Sequence, residues 1–285
     1  RCAADGRSVV LLDVNGRFKA RIEGPVNGNV LLRAAQYAAA SNAEASCAIA
    51  RNAVAGKIQN CRQVLLRGAR EATAEDERQR LAGAADYLTQ ALSRLKLCAD
   101  TETARGCEGD AARAYFQVFQ LLVREDREAF PFDGRTRRPP LDRINALLSF
   151  IYTLLRTDCV SAAEGVGLDP QIGFLHVMRP GRPALGLDLM EELRGIVADR
   201  LVLSLVNRRQ VKREDFNIRE GGSVMLTDTA RREVITAYQK RKQEDVQHHV
   251  LGRKVPLGLV PHVQARLLAR HLRGDLPEYL PFLYH

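Results

Sequence analysis

Apolar positions along the chain follow two different periods, and the change between them divides the sequence into two parts. Residues 8–12 and 17–22 predict two short strands, and the Asn15-Gly16 dipeptide between them is typical of a hairpin turn. Residues 24–28 break this pattern and predict a linker. From about residue 29 onward, apolar residues recur at helical spacing among abundant Ala, Leu, Arg and Gln. The pattern therefore predicts a mainly α protein, with the remainder of a small β-domain (1–24), a linker (25–28) and a large all-helical domain (29–285).

Helical periodicity predicts eight helices in the larger part. Their approximate ranges are 29–40, 43–70, 74–96, 108–125, 140–165, 186–207, 228–249 and 258–273. Residues 131–140 predict an arginine-rich loop, whose Pro139-Pro140 suits the first turn of the following helix. Residues 216–226 predict a small β-hairpin inserted among the helices, with Gly221-Gly222 at its turn.

The chain opens at Arg1 directly into strand-like sequence. Such strands need earlier strands to pair with, so we expect the β-domain to be truncated here, with its first strands missing. The sequence has no signal-peptide pattern, and no apolar run approaches the roughly 20 residues that span a bilayer. We therefore expect a cytoplasmic protein that has no membrane partner.

The composition shows an excess of basic residues and enough apolar residues for a sizeable core. Lys and Arg number 43 against 34 Asp and Glu, which gives a formal net charge of +9, and 46% of residues are apolar. A basic excess is compatible with a polyanionic partner such as nucleic acid, although many basic proteins bind none. The six cysteines are scattered, without a CxxC pair, and predict reduced thiols rather than disulfides or a thiolate metal site.

Glu108 is the first candidate for chemistry. It lies on the same predicted helix face as an apolar stripe formed by Ala112, Tyr115, Phe116, Phe119 and Leu122. A carboxylate that points toward apolar surface needs a partner, since burying it unpaired is costly. The alternative is a glutamate of the first turn that interacts with the helix N-terminus.

His176, Asp188 and Glu191 form a second group of candidates. His176 ends a short apolar segment, and Asp188 and Glu191 are three residues apart on the next predicted helix, so they share a face. The alternatives without a functional role are a histidine whose hydrogen bonds are satisfied within the protein and, for the two acids, a solvated face near a helix start. One histidine with several carboxylates suits Mg²⁺ or Mn²⁺ better than a thiolate-preferring metal. Such an ion activates a water or hydroxyl nucleophile and polarises a phosphoryl oxygen.

Specific motifs around these candidates resemble the CRISPR-associated endonuclease family that integrates new spacers. The motifs are carried by Gly167–His176, Arg179–Leu185, Leu187–Glu192, Gly106–Phe116, Arg138–Tyr152, Asp199–Arg208 and Gly24–Leu31. The similarity covers essentially the whole chain. Thr157-Asp158-Cys159 and Pro256–His262 resemble most closely the branch that accompanies subtype I-C systems.

The resemblance implies a set of site residues. The family's metal ligands, which are also its catalytic residues, fall on Glu108, His176 and Glu191, and Asp188 matches an additional catalytic acid beside them. Asp158 lies where related chains often carry an acid, and we interpret it as a residue outside the ligand set. The family's fold, a small β-domain joined to a larger helical catalytic domain, agrees with the periodicity.

The resemblance also implies the reaction and the partners. The expected activity is cleavage of DNA and transfer of a short fragment, the prespacer, into the CRISPR repeat. The expected partners are double-stranded DNA, the small second CRISPR-associated protein and a second copy of the chain as a homodimer. The alternative is a non-catalytic DNA-binding scaffold with the same fold.

DNA contacts are expected mainly at phosphates. The first candidates are Arg179, Arg182 and Arg194, which flank the acid cluster, together with Arg138 in a basic loop that also contains Arg135 and Arg137. Two further basic patches, Arg208–Arg213 and Lys240–Lys242, are either DNA contacts or solvated surface. Tyr152 is expected either to lie near the site or to belong to the core.

Overall fold

The computed structural model describes residues 1, 2, 5, 9–12, 18–22 and 30–284 of the chain. Strands β1 (Val9–Leu12) and β2 (Phe18–Ile22) form an antiparallel pair in which Val9 lies opposite Ile22. The two predicted N-terminal strands are therefore confirmed. The predicted Asn15-Gly16 turn and the linker at 24–28 lie outside the described residues, and the domain boundaries stay a prediction.

Within the described residues the rest of the chain is predominantly helical, as predicted. The helices are α1 (Val30–Ser41), α2 (Ala43–Glu71), α3 (Glu75–Leu95), α4 (Thr101–Gln117), α5 (Arg143–Val166), α6 (Ala184–Glu191), α7 (Arg200–Asn207), α8 (Asp228–Lys242) and α9 (Val260–Leu272). Side-chain caps explain several of the starts, because Asn42, Asp100, Asp142 and Thr227 each accept a hydrogen bond from a backbone N–H of the following turn.

The predicted helix at 108–125 is wrong at both ends. Helix α4 begins seven residues earlier, where the Asp100 carboxylate accepts the N–H of Thr103 at 2.7 Å. It ends at Gln117, and residues 119–122 form a separate 3₁₀ turn. Gly106 and Gly109 weaken the helical pattern inside α4, so the sequence pattern does not reveal where α4 begins.

The predicted helix at 186–207 is divided by a π-helical turn. Residues 194–199 adopt this wider turn between α6 and α7. Turns of this kind often occur at functional sites, because the wider turn redirects the side chains that it carries. Here it carries Arg194 and Asp199, both of which belong to the candidate site described below.

The predicted helix at 228–249 is wrong in its last third. Helix α8 ends at Lys242, and the chain continues as an antiparallel hairpin of β5 (Asp245–His248) and β6 (Arg253–Pro256). The predicted hairpin at 216–226 is confirmed as β3 (Phe216–Ile218) paired with β4 (Val224–Leu226).

Helices α2 and α5 form the centre of the helical part. α2 packs against α3 and α4, whereas α5 packs against α6 and α9, and their apolar faces join one continuous core. By length and composition α5 would be apolar enough to cross a membrane, contrary to the expectation from the sequence. However, 56% of its most apolar segment is buried inside the protein. Such burial is typical of a central core helix.

Residues 278–284 form a strap that closes over α2 and the end of α6. The Asn60 side chain donates to the Glu192 and Phe282 carbonyl oxygens at 2.7 and 2.8 Å, and its own oxygen accepts the N–H of Tyr284 at 2.8 Å. The buried Glu192 carboxylate accepts hydrogen bonds from the Tyr279 hydroxyl and the Phe282 N–H. Gly56 permits this close packing, because a Cβ there would lie 2.8 Å from the Cβ of Pro281.

Candidate functional site

A buried carboxylate, Asp188 of α6, fixes the loop that precedes the helix. Its Oδ2 accepts the N–H groups of Phe174 and Leu175 at 2.6 and 3.1 Å, and its Oδ1 accepts the N–H of His176 at 3.0 Å. Gly173 permits the approach, because a Cβ there would lie 2.7 Å from Asp188 Oδ2. The alternative of a solvated acid is wrong for Asp188, which is 4% exposed.

The same carboxylate orients the ring of His176. Nδ1 of His176 lies 2.7 Å from Asp188 Oδ1, and Nε2 lies 3.7 Å from Oε1 of Glu191. A carboxylate acceptor favours a proton on Nδ1, and Nε2 is the ring nitrogen that faces Glu191. Asp188 therefore acts on His176, and its own oxygens are occupied by N–H donors.

Glu191 is buried between two cations. It is 3% exposed, its Oε1 lies 2.9 Å from Nη2 of Arg194, and its Oε2 lies 2.6 Å from Nζ of Lys57. Burial raises the pKa of the Glu191 carboxyl, but the charges of Arg194 and Lys57 outweigh it and hold that pKa well below its usual range. Glu191 is therefore ionised, and the alternative of a solvated acidic face is wrong for it too.

Glu108 reaches the same cluster from α4 through Lys57. The Lys57 ammonium contacts a Glu108 carboxylate oxygen as well as Glu191, so it bridges the two acids. Glu108 lies two turns inside α4, so its interpretation as a first-turn residue is wrong. Burial opposes the charge on Lys57, but Glu191 and Glu108 raise its pKa above the ordinary value. The ammonium ion is thus an internal counter-ion for two of the predicted ligands.

A second buried network, formed by Asp199, Tyr115 and Tyr152, contacts Arg194 through the Tyr152 ring. The Asp199 carboxylate accepts the hydroxyls of Tyr152 at 2.6 Å and Tyr115 at 3.1 Å. The Tyr152 ring lies against two guanidinium groups, those of Arg194 at 4.7 Å and Arg135 at 5.2 Å from its centroid. Burial raises the pKa of Asp199 to about 6. Tyr152 thus contacts both the protein core and the site, so each of its two predicted roles has a structural counterpart.

Three residues of this arrangement were missed by sequence reasoning: Lys57, Asp199 and Tyr115 as a partner of Asp199. Lys57 carried a signal, because it lies three residues after Val54 and four before Cys61, both of which are buried positions of α2. A lysine within a buried stripe requires a carboxylate partner. For Asp199 no comparable spacing signal exists.

The predicted DNA-contacting arginines differ in their surroundings. Arg194 is engaged with Glu191 and Tyr152, whereas Arg179 and Arg138 are exposed, and Arg182 makes a long contact of 3.4 Å to the Val177 carbonyl oxygen. Arg135 and Arg137 line one pocket together with Lys57, Arg194 and Tyr152, so the basic loop lies beside the acid cluster.

Asp158 lies away from these residues. Its Oδ2 accepts the Tyr238 hydroxyl at 2.7 Å and lies 2.8 Å from Nζ of Lys242, so it ties α5 to α8. These contacts agree with its interpretation as a residue outside the ligand set. They also engage Lys242 from one of the predicted basic patches.

The donors present suit a hard divalent cation, although they are not arranged as a complete ligand set. Among residues 30–284, no three His, Cys, Asp or Glu side chains stand together as a preformed metal site, because Lys57 separates Glu108 from Glu191. An imidazole Nε2 and two carboxylates are nevertheless the donors that Mg²⁺ and Mn²⁺ accept. The residues therefore fit such an ion, provided that the ammonium group of Lys57 moves aside.

Comparisons with known proteins agree with this architecture. Residues 1–240 match the family model described as CRISPR associated protein Cas1. The "CRISPR-associated endonuclease Cas1 1" of Moorella thermoacetica is 64% identical over 284 residues, covering 100% of this chain and 83% of that protein.

Two solved structures are similar in fold over nearly the whole chain. A casposase bound to integration product has a TM-score of 0.84 and 26% identity, covering 100% of this chain and 77% of the casposase chain. A chain of a partial Cas6-RT-Cas1–Cas2 complex has a TM-score of 0.79 and 25% identity, covering 99% of this chain and 82% of that one. The chain therefore belongs to the Cas1 family of CRISPR-associated endonucleases.

Proposed function

We propose that this protein is a metal-dependent DNA endonuclease and integrase that inserts short DNA fragments into a CRISPR array as new spacers. The observation that carries the proposal is the convergence of Glu108 and Glu191 on the Lys57 ammonium group. His176, oriented by Asp188, lies 3.7 Å from the other oxygen of Glu191. A buried carboxylate such as Glu191 beside a fixed imidazole is costly, and a catalytic site is the simplest reason to retain the arrangement.

In the proposed site Glu108, His176 and Glu191 hold Mg²⁺ or Mn²⁺. The bound ion would stabilise charge on a phosphoryl oxygen and lower the pKa of the attacking hydroxyl group. The protein's own residues prepare the donors: Asp188 keeps the His176 Nε2 lone pair available, and Arg194 fixes the Glu191 carboxylate. Lys57 neutralises the carboxylates when no ion is bound.

The proposed reaction is one exchange at phosphorus with two alternative nucleophiles. In integration the 3′-hydroxyl oxygen of the fragment bonds to a phosphorus of the repeat strand, and the bond to the leaving oxygen breaks. The attacking hydroxyl loses its proton and the leaving oxygen gains one, so the number of phosphodiester bonds is unchanged. In hydrolysis, water replaces the hydroxyl group and one phosphodiester bond is lost.

The proposed partners follow from the chemistry and from the relatives. Arg179 and Arg138 are exposed and Arg182 is half-buried, and these three side chains would hold DNA phosphates, while Arg194 acts mainly through Glu191. One similar structure is a casposase with integration product and another contains Cas2, which supports DNA and the small second CRISPR-associated protein as partners. We further propose a cytoplasmic homodimer of the subtype I-C branch.

One observation favours a second candidate, a DNA-binding scaffold without catalysis. Lys57 occupies the position between Glu108 and Glu191, where a divalent ion would have to displace it. If that displacement does not occur, the same fold would bind DNA without reacting with it.

Strand transfer of a labelled short duplex into a repeat-bearing plasmid distinguishes the two candidates. Wild type is assayed with Mn²⁺ or with chelator beside Glu108→Ala and Asp110→Ala, since Asp110 is an exposed acid of the same helix. Joining that requires Mn²⁺, is lost in Glu108→Ala and persists in Asp110→Ala supports the integrase. DNA binding without joining by any of the proteins, with the second CRISPR-associated protein added, supports the scaffold.

A further inference from the structure

A wide groove separate from the candidate site carries a strong excess of positive charge. It has a volume of about 770 Å³ between α2, the 122–125 segment, α7 and α8, and it shares no lining residue with the pocket beside the acid cluster. Seven lysine and arginine side chains and three glutamates line it. The groove brings Arg208 of one predicted basic patch together with Lys240 and Arg241 of the other.

The three glutamates of the groove are already engaged. Glu71 pairs with Arg67 at 2.8 Å and with Arg124 at 3.0 Å, and Glu244 pairs with Arg241. The third, Glu125, pairs with Arg209 outside the groove at 2.6 Å. The acids therefore do not neutralise the remaining cations of the lining.

Four of the cations make no ion pair among the described residues. Arg70, Arg208 and Lys240 are exposed, and Arg200 is half-buried with its Cζ 4.9 Å from the centroid of the Tyr284 ring. The Nη1 atom of Arg200 is buried and has no hydrogen-bond partner in the described part of the chain. Burial lowers the pKa of the neighbouring Arg241, and the charge of Arg200 lowers it further. Such crowding of like charges is relieved when an anion binds between them.

The lining favours a polyanion over an apolar partner. None of the large exposed hydrophobic side chains in the described residues lies in the groove, whereas the centre of a protein–protein interface is normally apolar and aromatic. The unpaired cations are spread over α2, α8 and α7 with the residue that follows it, as expected for contacts to successive phosphates rather than to one small anion.

We propose that this groove binds the phosphodiester backbone of double-stranded DNA next to the segment held at the acid cluster. Arg67 and Arg70 lie ten and thirteen residues after Lys57 on the same helix, which is about 15 to 20 Å at 1.5 Å per residue. That span corresponds to about four to six base pairs at 3.4 Å each. The distance from the reacting phosphate rests on the function proposed above, whereas DNA binding by the groove does not.

The test measures DNA affinity in chelator, so that it does not depend on catalysis. The groove variant is Arg70→Ala/Arg208→Ala/Lys240→Ala. The matched control is Arg80→Ala/Arg232→Ala/Arg253→Ala, which removes three exposed charges elsewhere. Fluorescence anisotropy with a labelled duplex gives log Kd against log salt concentration. We expect the slope to fall by about 2.7 in the groove variant, since each lost phosphate contact contributes about 0.9, and to change little in the control.

A charge-retaining variant and a modified duplex make the result specific. Arg70→Lys/Arg208→Lys/Lys240→Arg should keep the wild-type slope, and thermal melting should show that all variants are folded. Methylphosphonates placed about four to six base pairs from the reacting phosphate should weaken wild type and leave the groove variant unchanged.

Equal slopes in the groove and control variants, or no binding of DNA by wild type, would overturn the groove proposal and favour an acidic protein as the occupant. A reduced slope in the groove variant, together with no strand transfer by wild type, would leave the groove proposal intact and overturn the integrase proposal.

Discussion

Replacing Asp188 by Asn exchanges one carboxylate oxygen for an NH₂ group. The substitution distinguishes a residue that stabilises the loop and orients His176 from a direct metal ligand. The carboxylate accepts four N–H groups: the backbone N–H of Phe174, Leu175 and His176, and Nδ1–H of His176. The amide of Asn offers one oxygen, and its NH₂ group faces two of these donors instead of accepting from them. Each buried donor left without an acceptor costs about 1–3 kcal/mol, so the free energy of unfolding should fall by about 2–6 kcal/mol.

The loss should be visible as a lower melting temperature and a weaker metal site. For a chain of this size the destabilisation corresponds to a decrease in Tm of about 3–10 °C. Mn²⁺ affinity should fall by about 10- to 100-fold but persist, because the imidazole loses its orienting partner while the proposed ligands stay. Calorimetric melting in chelator measures the first effect, and titration calorimetry with Mn²⁺ measures the second.

Asp110→Asn provides the control, because its carboxylate is exposed and lies 3.7 Å from Nη1 of Arg113, a long ion pair at the surface. A variant Asp188→Asn that melts with wild type and the control would refute the assignment of four stabilising contacts. Full stability combined with complete loss of Mn²⁺ binding would instead make Asp188 a direct ligand.

Four further outcomes are expected. Lys57→Met should lower Tm in chelator and increase the rise in Tm caused by Mn²⁺, since two buried carboxylates lose their counter-ion; an unchanged response in a Mn²⁺ thermal-shift series would contradict the displacement of Lys57. His176→Ala should abolish cleavage and strand transfer in gel assays and leave duplex affinity within about twofold of wild type; activity equal to wild type would exclude His176 as a ligand. Folding raises the pKa of Asp199 from 3.8 to about 6, so its contribution of about 3 kcal/mol is complete below pH 3.8 and is lost as pH rises through 6. Denaturant titrations should show that Asp199→Asn flattens stability over this window, and a slope equal to that of wild type would contradict the raised pKa. Arg179→Ala should weaken duplex binding and reduce its salt slope by about 0.9, and an unchanged slope would remove Arg179 from the contact surface.

The fold was predictable wherever the hydrophobic period persisted, and the errors arose at residues that weaken that period. Gly106 and Gly109 obscured the start of α4 despite the capping acid Asp100. The β5 strand contains Asp245 and Gln247 on its exposed side, so it resembled the polar face of a continuing helix. Such segments adopt their structure through pairing with β6, which local sequence does not reveal.

The site was predictable in its residue types but not in its burial. Spacing placed Asp188 and Glu191 on one helix face, but spacing does not tell whether that face meets solvent or protein. The counter-ion that accompanies the burial of Glu191 is Lys57, more than 130 positions earlier in the chain. Contacts over such sequence separations depend on the tertiary packing of α2 against α6, and no local pattern encodes them.

The strap also has a consequence for when a nascent chain acquires its site. Glu191 belongs to the cluster of candidate ligands, and its neighbour Glu192 is held by Tyr279 and Phe282 of the strap. Until residues 278–284 have left the ribosome, the Glu192 carboxylate lacks two of its hydrogen-bond donors, and burying it would be unfavourable. The end of α6 is therefore completed only after residues 278–284 have been synthesised. The cluster of candidate ligands stays incomplete until that point of translation.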